Sequence, residues 1–309
     1  MQYIKVNYPR VQSLCNRLFP IARAIVYQYL FGGKILHPKL VHFRTAPFRL
    51  GGIDYKKSLR KILLFDNFEL SDDDRYLSKI ASIYLSIYKN KIDSVNADRC
   101  DTYIDKQECL IIFDGHHWKK HNFVDLYPYR EIVKSQLFSI SKPKWQYLIN
   151  SIQPFPIGLN IRLGNDFKTS TSKNDFKNVP FVKTPINWFI DTLLQIREYV
   201  GYDVEARIVT DGTVKQLEKI LSLPNVTMLE TPCAMSDLFA LSKSQILLGT
   251  ADSSFAAWAS FLGKIPTLTI PGRGLERFQL TADKEHYIKT YDPDYPEAET
   301  LNYISHVLK

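Results

Sequence analysis

The segment PIGLNIRLGNDF, residues 156–167, ends an apolar run with side chains that could bind an anion. Arg162 follows the run directly, and Gly164 and Asp166 come shortly after it. An arginine presents a planar fork of N–H donors that can bind two phosphate oxygens at once, and a glycine allows the backbone to approach a ligand closely. The same residues could form a solvated turn in which Arg162 pairs with Asp166. The segment is therefore a candidate phosphate site, with a structural salt bridge as the alternative.

A second candidate anion site follows the apolar segment QILLG, residues 245–249. The polar residues Thr250 to Ser254 and then Phe255 open a helical pattern that continues to Leu262. Unpaired backbone N–H groups at a helix N-terminus, together with the hydroxyls of Ser253 and Ser254, would form an anion pocket. Asp252 or Ser253 could instead be a plain N-cap that stabilises the helix by about 1 kcal/mol.

The elements around these segments alternate between strand and helix, which is typical of a parallel sheet with crossover helices. In such sheets ligands bind beyond the carboxyl ends of the strands, so Arg162, Thr250 and the Thr210-Asp211-Gly212 segment are expected at one edge. Strands are predicted at 157–161, 205–210, 225–229, 245–249 and 266–270, and helices at 185–200, 213–222, 235–243 and 253–262.

The first half of the chain shows the same alternation less regularly. A length of 309 residues accommodates two domains, and the proline-containing segment 139–156 is the expected crossing between them. We therefore predict an α/β protein with an N-terminal domain over 1–150 and a C-terminal domain over 151–309, whose last helix could pack back on the first domain. The elements predicted in the first half are strands at 3–6 and 109–113 and helices at 18–30, 75–88 and 126–138, and Gly32-Gly33 is expected to end the first of these helices before KILHP.

Composition limits the classes of partner and the compartment. The formal net charge of +8 and the pI near 9.1 favour contact with an anion such as nucleotide phosphates, a charged glycan, nucleic acid or a membrane surface. The four cysteines have no C-x-x-C spacing and follow no apolar leader, which indicates reduced thiols in the cytoplasm. No run approaches the about 20 apolar residues of a membrane span, so a soluble or at most peripheral protein is expected.

The segment FDGHHWKKH, residues 113–121, supplies candidates for a general base: Asp114, His116 and His117. A histidine next to an apolar strand could equally be a structural group. His117 and His121 have the spacing of a helical zinc pair, but no H-E-x-x-H glutamate accompanies them. SDDDR at 71–75 superficially resembles a metal-binding D-x-D, although its place before a helical pattern favours an acidic N-terminal cap. P-loop, dinucleotide-binding and G-x-S-x-G motifs are absent.

Several segments, in order along the chain, resemble the fucosyltransferase superfamily of α1,2-, α1,6- and protein O-fucosyltransferases. GLNIRLGNDF is similar to the H-x-R-x-G-D stretch of that superfamily, and residues 236–264 are similar to its later DL…S…D…SSF…W…LG block with the spacing kept. The opening SLCNRLFPIARA resembles G-G-x-G-N-Q-L-F…A, IIFDGHHW resembles L-x-G-Y-x-Q, and TIPGRGLERF resembles A-P-x-x-W-F. The similarity touches most of the chain, with low identity between the motifs.

The resemblance implies the GT-B architecture, in which two Rossmann-like domains with parallel sheets face each other. It places the nucleotide sugar mostly on the second domain and the acceptor mostly on the first, with no bound metal. Arg162 would bind the β-phosphate and neutralise the leaving nucleotide, Asp237 would contact the base or ribose, and Asn16 would reach the cleft from the first domain. The expected donor-binding residues are Asn16, Asn160, Gly164, Asp166, Asp211, Asp237, Thr250, Ser253, Ser254 and Phe255.

Three departures from the superfamily pattern leave the donor open. Asn160 stands where the superfamily has histidine, Asn165 precedes Asp166, and Ser13-Leu14-Cys15 replaces the opening glycines. The function expected is an inverting, metal-independent glycosyltransferase that moves fucose from GDP-fucose to a glycan acceptor, without a cofactor and without nucleic acid. The alternatives are a related transferase that uses another deoxyhexose or a pentose nucleotide, and a non-catalytic protein that binds a polyanion or nucleic acid.

Overall fold

The computed structural model describes residues 2–7, 14–36, 94–106, 109–114, 122–164, 167–169, 179–229, 231, 233–272, 274–280 and 283–309. These residues fall into two compact units, one up to residue 147 and one from residue 148 onward. Each unit has its own parallel sheet. None of the described helices is both long and apolar enough to cross a membrane.

The described part of the first unit is built on four parallel strands in the order β2-β1-β4-β3. Helix α1 (Leu14–Phe31) connects β1 to β2, and Gly32, whose φ is 76°, ends it by donating to the Gln28 carbonyl. The predicted strands at 3–6 and 109–113 and the predicted helix at 18–30 are confirmed. The strands are β1 (Tyr3–Asn7), β2 (Lys34–Leu36), β3 (Ser94–Asn96) and β4 (Leu110–Asp114).

Strands β2 and β3 and one helix of the first half were not predicted. Ser94–Asn96 is a three-residue strand with exposed ends, so it carries no apolar pattern. The predicted crossing at 139–156 contains helix α3 (Pro143–Ser151), which begins at a proline because the first turn of a helix has no need of that N–H. The predicted helix at 126–138 is confirmed as α2 (Arg130–Ser139), preceded by a 3₁₀ turn at Tyr127–Tyr129.

A buried ion pair joins α1 to the segment that precedes the 3₁₀ turn. Arg23 Nε lies 2.8 Å from Asp125 Oδ2 and a second nitrogen lies 3.0 Å from Oδ1, with side chains 3% and 0% exposed. The guanidinium also donates to the Asn122 carbonyl, and the Cys100 N–H donates to Asp125 Oδ2. Because both charges are fully enclosed, each needs the other and these added hydrogen bonds.

The second unit contains six parallel strands in the order β10-β9-β8-β5-β6-β7 among its described residues. All five predicted strands are confirmed, and the edge strand β10, which is half-buried throughout, was not predicted. The strands are β5 (Phe155–Ile161), β6 (Ala206–Thr210), β7 (Val226–Met228), β8 (Ser244–Gly249), β9 (Thr267–Thr269) and β10 (Ile288–Thr290).

The predicted helices of the second half are also confirmed, with one change of type. The region 213–222 is a 3₁₀ turn at Val214–Leu217 followed by the short helix α5 (Glu218–Leu221). The other helices are α4 (Ile186–Val200), α6 (Ala234–Leu241), α7 (Ser254–Gly263) and α8 (Ala298–Leu308).

The core of the second unit centres on β5, which is buried along nearly its whole length between β6 and β8. A Cβ on Gly158 would lie 2.7 Å from Ser244 Oγ and 2.8 Å from Leu241 Cδ1, so a larger residue would force these side chains to move where helix α6 approaches the strand. The C-terminal helix α8 contributes Leu301, Ile304 and Leu308 to this core. It packs on helix α4 of its own unit.

Some predictions fall outside the described residues. They are the helix at 75–88, the acidic segment at 71–75, and the site residues His116, His117 and Asp166.

We expect Asp125→Ala to lower the free energy of unfolding by about 3–5 kcal/mol, because it leaves the Arg23 charge buried without its carboxylate. Urea denaturation followed by circular dichroism measures the change. Arg99→Ala is the matched control, since the Arg99–Asp101 pair of the same unit has side chains 39% and 29% exposed. Its loss is expected to cost no more than about 1 kcal/mol. Equal effects of the two substitutions would contradict the role given to burial.

Candidate functional site

The segments that follow β5, β6 and β8 meet at one edge of the second sheet. Asn160 of β5 is opposite Gly249 of β8, and Ile161 is opposite Thr210 of β6. Because the strands are parallel neighbours, Arg162 emerges between Asp211 and Thr250, as the sequence predicted.

The Thr250 hydroxyl fixes this junction. Its Oγ1 donates to the Asn160 carbonyl at 2.8 Å and accepts the Arg162 N–H at 3.0 Å. The Thr250 N–H donates to the same Asn160 carbonyl at 3.0 Å. Thr250 is fully buried, so it supports the site from below and does not contact solvent.

Arg162 is held in place by Asp211. The Arg162 guanidinium lies 2.7 Å from Asp211 Oδ2, and Asp211 Oδ1 accepts the backbone N–H groups of Leu163 and Gly164 at 2.7 and 3.1 Å. The Arg162 and Asp211 side chains are 23% and 29% exposed, so the pair lies at the surface of the edge. The sequence offered Asp166 as the salt-bridge partner, whereas the structure makes Asp211 a partner. Asp211 therefore positions the arginine and its loop.

The N-terminus of helix α7 lies beside this arginine. Ser253 is the N-cap, and its hydroxyl oxygen accepts the Ala256 N–H at 3.3 Å while donating to Asn160 Oδ1 at 3.2 Å. Ser254 and Phe255 form the first turn and are half-buried. Ser253 is therefore the N-cap of α7, as the sequence offered as an alternative, and it also forms a hydrogen bond to strand β5.

The Asn160 side chain adds a hydrogen-bond donor at the same point. It is 2% exposed, and its Oδ1 is occupied by Ser253. An asparagine amide nitrogen carries two N–H donors, and neither is accepted by a residue in the described part of the chain. The amide could therefore donate to a ligand acceptor beside the α7 N-terminus.

Asp252 joins two distant segments to this helix terminus. It has a φ of 58°, in the left-handed region, and is 4% exposed. Its Oδ1 lies 3.1 Å from Arg277 Nε, and its Oδ2 accepts the Phe181 N–H at 3.3 Å. Sequence reasoning did not find Arg277 or Phe181. Both are far from Asp252 along the chain, and neither has a local pattern that could have revealed the contact.

Asp237 lies in the first turn of α6, a helix that begins after β7 and therefore at the same edge of the sheet. The carboxylate is 4% exposed and accepts the Thr231 hydroxyl at 2.6 Å. The cap of this helix is Cys233, and burial raises the pKa of its thiol, so it is a neutral hydrogen-bonding group and not a nucleophile. All four cysteines of the chain are buried and free of disulfides.

Two predicted site residues belong to the first unit. Asp114 is the last residue of β4, opposite Asn7 of β1, and Asn16 is half-buried in the first turn of α1. Both therefore lie at the carboxyl edge of their own sheet. Within the described residues, no three His, Cys, Asp or Glu side chains gather in a way that could hold a metal ion.

Comparison with known proteins gives similarities of fold. No family model and no curated protein matches the sequence. One similar solved structure is the fucosyltransferase NodZ from Bradyrhizobium, with 13% identity and a TM-score of 0.49 over 88% of this chain and 97% of that chain. An Arabidopsis thaliana FUT1 mutant in complex with GDP has 12% identity and a TM-score of 0.43 over 87% and 70%. E. coli heptosyltransferase WaaC with ADP has 9% identity and a TM-score of 0.45 over 99% and 98%.

Identities this low leave the function to be argued from the residues of the site. The predicted α/β class with two parallel sheets is confirmed by the strand pairing itself.

We expect Thr250→Val to lower the free energy of unfolding by about 1–3 kcal/mol, because the isosteric side chain leaves the partly buried Arg162 N–H without its acceptor. Thermal unfolding measures the change. Thr227→Val is the control, since Thr227 is an exposed residue of β7. A control effect as large as that of Thr250→Val would show that the hydroxyl of Thr250 has no special role.

Proposed function

We propose that the protein is a glycosyltransferase that takes a sugar from a nucleotide-sugar donor, GDP-fucose, and attaches it to a glycan. The observation that carries the proposal is the meeting of three groups at one edge of the second sheet. These groups are the Arg162 guanidinium, the Asn160 amide and the N-terminus of helix α7. All three favour negative charge or an acceptor oxygen, as a diphosphate requires.

The chemistry of sugar transfer explains why such an edge would be useful. Breaking the anomeric C–O bond places negative charge on the departing diphosphate, and donors fixed beforehand stabilise that charge most in the transition state. Asp211 and Thr250 hold the Arg162 side chain and backbone, so little reorganisation is needed. In this proposal the arginine and the helix terminus neutralise the charge of the leaving diphosphate, a task that a metal ion could otherwise perform. The proposed reaction is therefore metal-independent.

The nucleotide base would extend toward Asp237. Its carboxylate accepts the Thr231 hydroxyl, and a carboxylate can accept several donors at once, including those of a base or ribose. Guanine presents adjacent N1–H and N2–H donors that match the two oxygens of one carboxylate, which favours GDP in this proposal. Ser254 and Phe255 of the first helical turn would pack beside the pyrophosphate.

An inverting transfer also needs a base that takes the proton of the acceptor hydroxyl. The sequence resemblance assigns the acceptor side to the first unit. Asp114, at the carboxyl end of β4, together with His116 and His117, stays the candidate set.

Two alternatives share part of the same support. Asn160 in place of the superfamily histidine is compatible with another deoxyhexose or a pentose nucleotide as donor. The formal charge of +8 is compatible with a protein that binds a polyanion without catalysis, whose affinity would fall steeply with salt.

Thermal unfolding in the presence of GDP, UDP, dTDP and ADP separates these readings. We expect GDP to stabilise the protein most, since a ligand at 100 times its dissociation constant adds about 2.7 kcal/mol. Hydrolysis of GDP-fucose, compared with other nucleotide sugars, then identifies the donor. Stabilisation by another diphosphate would favour the related donor, and stabilisation by heparin or RNA alone, lost at high salt, would refute the transferase.

We expect Arg162→Ala to lower donor turnover by about 100- to 1000-fold, because it removes a donor group aimed at the leaving diphosphate. Steady-state transfer or donor hydrolysis provides the measurement. Arg207→Ala is the matched control, since Arg207 also forms an ion pair, with Glu205 at 2.5 Å, but at the start of β6, toward the opposite edge of the sheet. Turnover of Arg162→Ala at the level of this control would rule out the assignment.

A further inference from the structure

The carboxylate of Asp252 stands next to the proposed diphosphate site. Asp252 immediately precedes the N-cap Ser253, and the left-handed backbone at Asp252 leads the chain into helix α7. A negative charge here would compete with an anionic ligand for the positive end of the helix. At 4% exposure, water cannot screen this charge effectively.

Arg277 is a cation in contact with this carboxylate. Its Nε lies 3.1 Å from Asp252 Oδ1, and a terminal nitrogen donates to the backbone carbonyl of the same residue. One guanidinium therefore contacts both the side chain and the main chain of Asp252. This two-point contact suits the planar fork of arginine and not the single ammonium of lysine.

Two aromatic rings hold the Arg277 side chain in this orientation. The guanidinium carbon lies 4.9 Å from the centre of the Phe181 ring and 4.5 Å from that of Phe278. Phe181 also donates its backbone N–H to Asp252 Oδ2. Phe181 thus contacts both members of the ion pair, and the pair is fixed before any ligand arrives.

We propose that Arg277 is a positioning residue that neutralises Asp252 and so keeps the N-terminus of helix α7 available to the diphosphate of the donor. The inference rests on the proposed function, because it concerns the same site. Arg277 does not contact the ligand in this account. It acts through Asp252, whose charge would otherwise repel the phosphates.

This role differs measurably from a merely structural one. If Arg277 only fixed the loop, removing Asp252 as well could not restore ligand binding. If it neutralises a charge, Asp252→Asn should restore binding in a protein that lacks Arg277, since asparagine keeps the shape and tolerates the left-handed conformation.

The test measures GDP binding by calorimetry for the wild type, Arg277→Gln, Asp252→Asn and the double variant. We expect Arg277→Gln to weaken binding about tenfold, which corresponds to about 1.4 kcal/mol. The double variant is expected to return to near the wild-type affinity, and Asp252→Asn alone to bind as tightly as the wild type or more tightly.

Arg207→Gln is the matched control. It removes an arginine that is likewise paired with a carboxylate and stacked on an aromatic ring, Phe155 at 4.7 Å, with a similar side-chain exposure of 25% against 29%. It is expected to leave GDP binding unchanged. A thermal unfolding midpoint is recorded for every variant. Should Arg277→Gln fail to fold, the double variant and Asp252→Asn still decide the question.

The possible failures are distinct. A wild type that binds none of GDP, UDP, dTDP and ADP contradicts the proposed function and this inference with it. A wild type that binds GDP while Arg277→Gln binds equally well contradicts the inference alone. A double variant as weak as Arg277→Gln, or weaker binding by Asp252→Asn, would also overturn charge neutralisation.

Discussion

The position of β5 between β6 and β8 is the constraint on which the rest of the site depends. Parallel pairing on both sides brings the ends of three strands together, and the Thr250 hydroxyl joins two of them by bonding the Asn160 carbonyl and the Arg162 N–H. This junction fixes the backbone at Arg162 and so limits the directions in which the Arg162 side chain can point. The close approach at Gly158, where a methyl group would meet Ser244 and Leu241, shows how tightly the same strand is packed farther down.

The site combines positive charge with carboxylates that position it. Arg162 is paired with Asp211 at the sheet edge, and Arg277 with Asp252 at the helix terminus. The two pairs differ in environment, because Asp211 is 29% exposed whereas Asp252 is 4% exposed. The arrangement supports the binding of a compact polyanion such as a diphosphate. It argues less for a long polymer, for which a broad basic surface would serve better.

Much of the fold could be predicted because its signals are local. Apolar runs and helical periodicity identified every strand of the second sheet except the half-buried edge strand Ile288–Thr290, and glycine marked the end of the first helix at Gly32. Pro143, taken as part of a linker, instead begins a helix. A proline at the first position of a helix and a proline in a loop look the same without the packing that follows. The candidate site residues after β5 and β8 were found by the same local logic.

The sequence by itself determined which segments form strands and helices, and that Arg162 and Ser253 follow apolar strands. These features are local, because the periodicity of apolar residues and helix capping both act over a few residues. Only the tertiary structure decided the partners. Asp211 holds Arg162, Ser253 bonds Asn160 from 93 positions away, and Arg277 reaches Asp252. The physical reason is that the order of strands in the sheet brings together residues that are far apart in sequence, and no local pattern predicts which of them meet. Hydrogen bonds then form between the polar groups that lie at the same edge of the sheet.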